Sequence, residues 1–594
     1  DSGEALALAE IAVIPERFRV VPPQLPEATQ SSASEPVSFG LTVANPTGVA
    51  RQGEMAVQGV PFPQGCVRSP QNMRMTDAAG RALPLQARPF AYWPDKSIKV
   101  AAVSFPADVP ANGSAGYRFG AGSGVEPLSE SGGLELSESV DTIAIDTGAI
   151  AVTLSKVNGT LLETVTRGEH VLKAGEARWD LAFLDESGRE LRSSGPTVSV
   201  TEIIERGPNR ALIVRKGLFS DAAGALVNYR IQTELCAGSD AVRCQVFMVN
   251  REDAAEIYLR RWSMELGLGD SPVGRLWVGE DDAVPAQAGN TLYQHTEGTL
   301  SWTGQTPLSR VEGRCPGHIR LAGLALGTRW FWQRYPQAIR FLEGVVRQDF
   351  VPEPLDDGDL PTRWQEKMAE RTDKYSVGGV GYPQSPGKMG LFRLARGEAL
   401  RQEILFRFDG EAISAPVDEA LAPIVAPLRA SPDPEYVSQT AVFGEVQPHD
   451  PVTYPHYENS VERFYQNYHA KRRRRREYGF QNFGDDTFEW GYGPSHTYWS
   501  NCEYDHHHGF ALQYIRSGDL RWWEECEAAA RFYSDTAIVH HEPESSNRHQ
   551  RGGPRHHNAT ALWMESQPEQ AWIADHTMSG VSSGHAWAQG VVDY

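Results

Sequence analysis

The sequence predicts a multidomain chain that is β first and α last. Three observations carry this. Strand-like alternation, broken by Gly, Asn, Asp and Ser turns, dominates to about residue 408. Helical periodicity dominates after about residue 450. Groups suited to chemistry crowd into the helical part. At 594 residues the chain exceeds what one hydrophobic core organises, so two to four domains are expected. Its 56 glycines and 39 prolines favour turn-rich β architecture of the sandwich or barrel kind.

Within the β part, "SVDTIAIDTGAIAVTLSK" alternates and breaks at glycine, as a pair of strands would. "ALIVRKGLF" and "EALRQEILFRF" read as strands, and "NYRIQTELCAGSDAVRCQVFMVN" as a hairpin. The composition of 120–133, "GAGSGVEPLSESGG", marks a linker between two β domains. Another transition covers 411–450, with one helix-like piece, "APVDEALAPIVAPLRA", before "SPDPEY" and "QPHDP". Beyond it "NSVERFYQNYHAKRRRRREY" is a long helix candidate. "DHHHGFALQYIRSGD" and "LRWWEECEAAARFYSDTAIVH" form a helix pair split at Ser-Gly-Asp. "HGFALQY" and "HAWAQGV" resemble each other and start 77 residues apart, which suggests repeated helical hairpins as in an α/α toroid. The sequence stops inside a helical pattern, so an incomplete toroid is expected.

Charge and composition exclude several classes. A net charge of -20 argues against nucleic acid, which needs a basic face. An anionic substrate would need a local positive pocket. No apolar run is long enough to span a bilayer, and no membrane association is expected. The opening "DSGEALALAEI" has no basic n-region and reads as a mature or trimmed terminus. Six cysteines do not make a disulfide framework; Cys236 and Cys244 could bridge a hairpin or be free buried thiols.

Of 17 histidines, 14 follow residue 448, as do 11 of 20 tyrosines. In "SNCEYDHHHGF", Ser500 to Glu503 fits a capping box, so a helix is expected from Asn501. Asn501, Tyr504, Asp505 and His508 then share one face at i, i+3, i+4 and i+7, with Asp505 placed to orient His508. His506 and His507 point elsewhere, so the triplet is no three-ligand metal site; the competing reading is a solvated first turn. A long polar loop, "HHEPESSNRHQRGGPRHHN", carries Arg555, His556 and His557 on Gly-Gly-Pro backbone. Zinc between His540 or His541 and His556 or His557 is a rival there, though the spacing matches no standard zinc pattern. "NFGDDTFEWGYGPSHTYWSN" sets Trp490, His496 and Tyr498 among glycines and carboxylates, as a sugar-stacking platform or as a packed loop would. "KRRRRR", Lys471 to Arg476, fans around a helix and is read as solvated charge paired with acids rather than one patch.

"NPTGVARQGEMAVQGVPFPQG" and "RPFAYWPDKSIKVAAVSFPADVPANGSAGYRF" resemble the N-terminal barrel of exo-rhamnogalacturonan lyases and their bacterial relatives. "RWFWQRYPQAIRF" and "GEALRQEILFRF" resemble their central β-sandwich. "WSNCEYDHHHGFALQYIRSGD", "RGGPRHHN" and "GHAWAQGVVDY" resemble their C-terminal toroid. Lys96 stands where a glycine is expected in the "WPDGS" turn. The resemblance implies a β-barrel-like domain over 1–125, a central antiparallel β-sandwich over 134–410, a linker over 411–450, and an α/α toroid, cut short, over 451–594.

It also implies polysaccharide lyase chemistry on a glycan joining rhamnose to a uronic acid. β-Elimination needs the uronate carboxylate neutralised, and Arg555 and Asn501 are the donors available. Proton transfer falls to Tyr504 and His508. His556 is held with them in the catalytic set, and His496, Tyr498, Trp490, His507, His557 and His585 are expected against substrate. No cofactor or metal is required, with calcium assistance left open. Relatives act on rhamnogalacturonan, ulvan and plant gums. The acidity inclines the expectation to ulvan, and such a polymer implies a secreted or periplasmic enzyme. The alternatives are a glycoside hydrolase, with paired carboxylates drawn from Asp485, Asp486, Glu489, Glu503 and Asp505, or a non-catalytic carbohydrate-binding relative.

Overall fold

The computed structural model describes residues 35–126, 133–197, 199–252, 256–270, 272–303, 309–353, 391–395, 397–480, 482–489, 497–499, 506–532 and 534–535. The chain is mostly β, as its patterning predicts. All named strand pairs are antiparallel.

The N-terminal domain is two small sheets closed on one core. In the strand Val37–Asn45, Phe39, Leu41 and Val43 point inward and the residues between them outward, the period of a half-buried strand. It pairs with Gly113–Ala121, which pairs in turn with Met73–Asp77. The facing sheet centres on Ile98–Val109, flanked by Arg51–Pro61 and Gln86–Tyr92. Phe39, Phe62, Phe105, Phe119 and Met75 fill the space between the sheets. The "WPDKS" turn shows why glycine is expected in it. Lys96 takes φ 65, the left-handed region, while its N–H donates to the Trp93 carbonyl at 2.9 Å. Lys96→Gly is therefore expected to raise stability by roughly 0.5–1 kcal/mol, measured as a shift in urea midpoint at unchanged slope. An unchanged midpoint would count against strain in this turn.

Residues 411–450, expected as a linker, are built into both β domains. Helix α1 (Asp418–Val425) lays Leu421 and Ile424 over Ala325 and Leu405 of the large sheet. The strand Arg429–Pro432 then adds to the edge of the first barrel sheet, with Leu41 opposite Pro432. Helix α2 (Pro434–Gln439) starts at Asp433, whose side chain accepts from the Glu435 N–H, and stacks Tyr436 on Phe39. Edge pairing uses backbone groups alone, so composition does not reveal it.

The second β region has a five-stranded sheet running from Glu135–Glu138 to His170–Lys173, and an eighteen-stranded sheet from Trp179–Asp185 to Ala399–Arg407. They share one core, in which Ile143, Ile145, Val152 and Leu154 meet Trp179, Ile231, Trp262 and Phe406. The predicted hairpin is present as Gly224–Cys236 against Ala241–Val249. Its register sets Thr233 opposite Cys244 and leaves Cys236 beyond the last pair, so the two thiols do not face and both are free.

In the last part, helix α3 (Pro455–Arg475) precedes a hairpin of α4 (His506–Ser517) and α5 (Leu520–Phe532), turned at Gly518 with φ 70. Phe510, Tyr514, Trp522 and Cys526 bury against the same core as Phe39 and Phe119, so this hairpin rests on the barrel. Three helices do not establish a toroid, and residues 536–594 lie outside the described residues. Among the described residues no helix is long and apolar enough to cross a membrane.

Candidate active site

The loop 478–486 places the chemistry. Its Gly479 and Phe480 N–H groups donate to the Gln333 and Tyr335 carbonyls of a sandwich turn, at 2.8 and 2.7 Å. Phe480 enters the sandwich core beside Trp262 and Phe392. Gly484 has φ 109, and a Cβ there would sit 2.1 Å from the Ala528 carbonyl oxygen of α5. Only glycine allows the loop to lie this close to the helix. The next two residues, Asp485 and Asp486, are thereby held buried between α3 and α4.

Asp486 is the hub. One carboxylate oxygen lies 3.1 Å from His506 Nδ1, in the first turn of α4 as described. The other accepts from Lys471 Nζ on α3, which also donates to the Thr487 carbonyl at 2.9 Å. Burial would raise the Asp486 pKa, but the hydrogen bonds and charges of His506 and Lys471 outweigh it and hold the carboxyl well below its usual range. Burial would lower the His506 pKa, but the hydrogen bond and charge of Asp486 outweigh it, and the pKa is raised. Each group thus favours the charged form of the other. Bonding at Nδ1 orients the ring with Nε2 away from Asp486, so the cluster can present a proton on Nε2.

The surrounding charges are closely matched. Arg472 is buried, 2.8 Å from Glu525, and donates to the Tyr468 hydroxyl at 2.6 Å. His469 lies 3.2 Å from the same glutamate. Arg475 donates to Thr487 Oγ1 at 2.9 Å, and Arg476 meets Glu297 at 3.0 Å. The basic run thus fans around its helix, with Lys471, Arg472 and Arg476 paired to acids.

The two shifts give the His506–Asp486 pair a pH window. A raised histidine pKa contributes stability fully present below the unfolded value of about 6.5 and lost as pH rises through the folded pKa. A depressed aspartate contributes stability present above about 3.9 and lost as pH falls through the folded pKa. The stability difference between wild type and His506→Gln is therefore expected to be largest between about pH 4 and 6.5 and to shrink on the alkaline side. Denaturant titration across pH checks it. A difference that grows toward pH 9 would contradict the pairing.

Of the residues expected at the site, His507 and His508 are described. His507 is buried, and His508 is half-buried. Tyr498 lies on the short strand Thr497–Trp499, paired with Thr487–Glu489. Asn501, Tyr504, Asp505, Arg555, His556, His557, Trp490, His496 and His585 lie outside the described residues. So do Glu503, His540 and His541, and the expected helix start at Asn501. His506, set aside in the sequence as pointing away from the stripe, is held by the buried Asp486 carboxylate. Its partner Asp486 comes from 20 residues upstream on a loop, and Lys471, which shares that carboxylate, from another helix; no spacing in the sequence signals either. Successive residues turn by about 100° on a helix, so His506 and His508 project on nearly opposite sides of α4. Asp486, held ionised, is unsuited to be the protonated acid of a hydrolase pair. Among the described residues no group of three His, Cys, Asp or Glu is placed to hold a metal.

Residues 47–119, which form most of the first β domain, match the family described as PcRGLX-like N-terminal RIFT barrel domain, part of a rhamnogalacturonan-lyase-like family. No curated protein matches the chain. Among solved structures, similarity extends to a protein of glycosyl hydrolase family 38 from Enterococcus faecalis, at 10% identity and TM-score 0.41, over 67% of this chain and 47% of that one. An alpha-mannosidase from Enterococcus faecalis V583 is similar at 11% identity and TM-score 0.42, over 67% and 46%. A galactose mutarotase-like protein from Lactobacillus casei ATCC 334 is similar at 8% identity and TM-score 0.23, over 46% and 99%. The chain spans less than half the length of the first two.

Proposed function

We propose that this chain belongs to a polysaccharide lyase, secreted or periplasmic, that cleaves a rhamnose–uronic acid glycan by β-elimination. The observation that carries the reading is the His506–Asp486–Lys471 cluster, an imidazole held at Nδ1 by a buried carboxylate. The RIFT barrel match over 47–119 supports the carbohydrate class.

In the reaction a base takes the C5 proton, a C4–C5 double bond forms, and the C4–O bond breaks with protonation of the leaving oxygen. An imidazolium suits the last step, because it gives up its proton near neutral pH without a strong base. His506 is assigned that role, with Asp486 as its positioning residue. Tyr504 is assigned as proton acceptor. Arg555 and Asn501 are assigned to the uronate carboxylate, where a guanidinium fork neutralises charge and so acidifies C5–H. Ulvan and rhamnogalacturonan are the substrates this reading favours.

The test is an absorbance assay with rhamnogalacturonan, ulvan and gum arabic in parallel. A lyase makes an unsaturated uronate that absorbs in the near ultraviolet. New reducing ends without that absorbance would replace the reading with hydrolysis, and binding without either product would make the chain a carbohydrate-binding relative.

A further inference from the structure

The turn between the strands Thr291–Thr296 and Thr299–Trp302 meets the end of α3 at Glu297. Two arginines converge on that residue. Arg314 Nε donates to the Glu297 carbonyl at 3.0 Å, and Arg476 Nε meets the Glu297 carboxylate at 3.0 Å. Arg314 also lies over the Trp332 indole, 4.3 Å from the ring centroid. Trp332 in turn packs against Tyr478 at 5.3 Å, with the rings tilted by 52°. The sandwich and the helical part thus build one surface, two half-buried aromatic rings edged by arginine.

An exposed arginine is ordinarily mobile and well solvated. Arg314 is exposed, yet the contact with the indole and the bond at Nε hold its guanidinium in place. Its Nη1 and Nη2 make no hydrogen bond among the described residues, so the two-pronged edge of the fork is open. A carboxylate is the planar acceptor that matches that edge. A group held in position beforehand loses less entropy when it binds.

The surrounding charge favours an anion. Arg473, exposed on α3, makes no ion pair among the described residues. Burial raises the Tyr478 pKa, and Arg472, Arg314 and Arg473 act against it, so their charges reach the phenol. Glu297 and Glu525 are buried and already paired, with Arg476 at 3.0 Å and Arg472 at 2.8 Å. Glu312, exposed two residues before Arg314, makes no ion pair with it. In a chain of net charge -20 this is a local positive surface.

We infer that this surface is a subsite for a uronate unit of an acidic glycan, with the carboxylate received by Arg314 and the sugar ring set against Trp332 and Tyr478. Phe483, Arg472 and Tyr468 stand in series between Tyr478 and His506, so the unit held here is not the one that reacts. The subsite anchors a neighbouring part of the polymer. The inference rests on the glycan reading of this protein and not on β-elimination.

The experiment is native electrophoresis of the full chain through gels containing rhamnogalacturonan, ulvan, or rhamnogalacturonan whose carboxyl groups have been reduced to alcohols. Retardation gives a dissociation constant for each. Wild type is expected to bind rhamnogalacturonan at least about threefold more tightly than its reduced form. Arg314→Gln should weaken binding to the uronate polymer about three- to tenfold and leave binding to the reduced polymer unchanged. Arg314→Lys should recover only part of the loss, because an ammonium lacks the fork. Trp332→Ala should weaken binding to both polymers, by about two- to tenfold. Equal binding of the uronate polymers by wild type and Arg314→Gln overturns the subsite and leaves the glycan reading standing. So does equal binding of native and reduced rhamnogalacturonan by wild type, which decides even if a variant does not fold. No retardation of wild type by any of the three polymers overturns the glycan reading and the subsite together.

Discussion

His506→Ala is expected to lower turnover by about 10²–10⁴-fold while leaving the fold intact, because general acid catalysis contributes on that scale. The ring is four-fifths buried yet held at one nitrogen by Asp486, an arrangement that fixes its direction and raises its pKa. Loss of the proton donor removes transition-state stabilisation alone, so kcat should fall with little change in KM. Asp486→Asn separates positioning from packing. Without the carboxylate the His506 pKa returns toward or below its ordinary value, and the alkaline limb of the pH–rate profile should move to lower pH. A merely structural Asp486 would lower stability and leave that limb in place. Near-normal formation of unsaturated uronate by His506→Ala would end its assignment as the acid, and His556 would be the next histidine to vary.

Glu527→Gln is expected to destabilise the chain by about 3–5 kcal/mol, the range for removing one member of a buried ion network. Glu527, on α5, is fully buried, 2.6 Å from Arg329 of the sandwich and 2.7 Å from Arg531 one helical turn away. Burial would raise its pKa, but Arg329, Arg531 and Arg429 overcome that and keep it ionised. Glu403 of the sandwich meets Arg531 at 2.5 Å and Arg243 at 2.6 Å, so helix and sheet are joined through shared charges. Neutralising Glu527 strands several guanidinium groups in low dielectric. Urea unfolding monitored by tryptophan fluorescence reads the effect. The double variant Arg329→Met with Glu527→Leu should recover only the part of the loss due to Arg329, because Arg429 and Arg531 still lack Glu527. A wild-type midpoint for Glu527→Gln would show that the network is not what joins α5 to the sandwich.

Local pattern determined much of this protein. The alternation of "TIAID" and "AVTLS" is the alternation of two paired strands, because side chains on a strand point to opposite faces with period two. The 236–244 hairpin, the break at Ser-Gly-Asp between α4 and α5, and the fan of arginines on α3 were legible for the same reason: each depends on neighbours in sequence. So was the concentration of histidine in the helical part, which points to the right region. Lys96 in a left-handed turn was flagged by the residue it replaces.

Only the tertiary structure decided what touches what. The strand Arg429–Pro432 closes an edge of a sheet begun some 390 residues earlier, through backbone hydrogen bonds that leave no mark on composition. Asp486 reaches His506 because Gly484 admits a close approach to the Ala528 carbonyl, and Lys471 arrives from a different helix. Helical periodicity places a side chain on a face of its own helix, and cannot say which carboxylate will be opposite. That is why the sequence could align His508 with Asp505 at i+3 but gave no sign of the buried carboxylate that the folded chain brings to His506. The placing of Arg334 is of the same kind. Its charge is written in the sequence, but its burial beside Asp535 arises only when the sandwich turn, the loop and α5 come together.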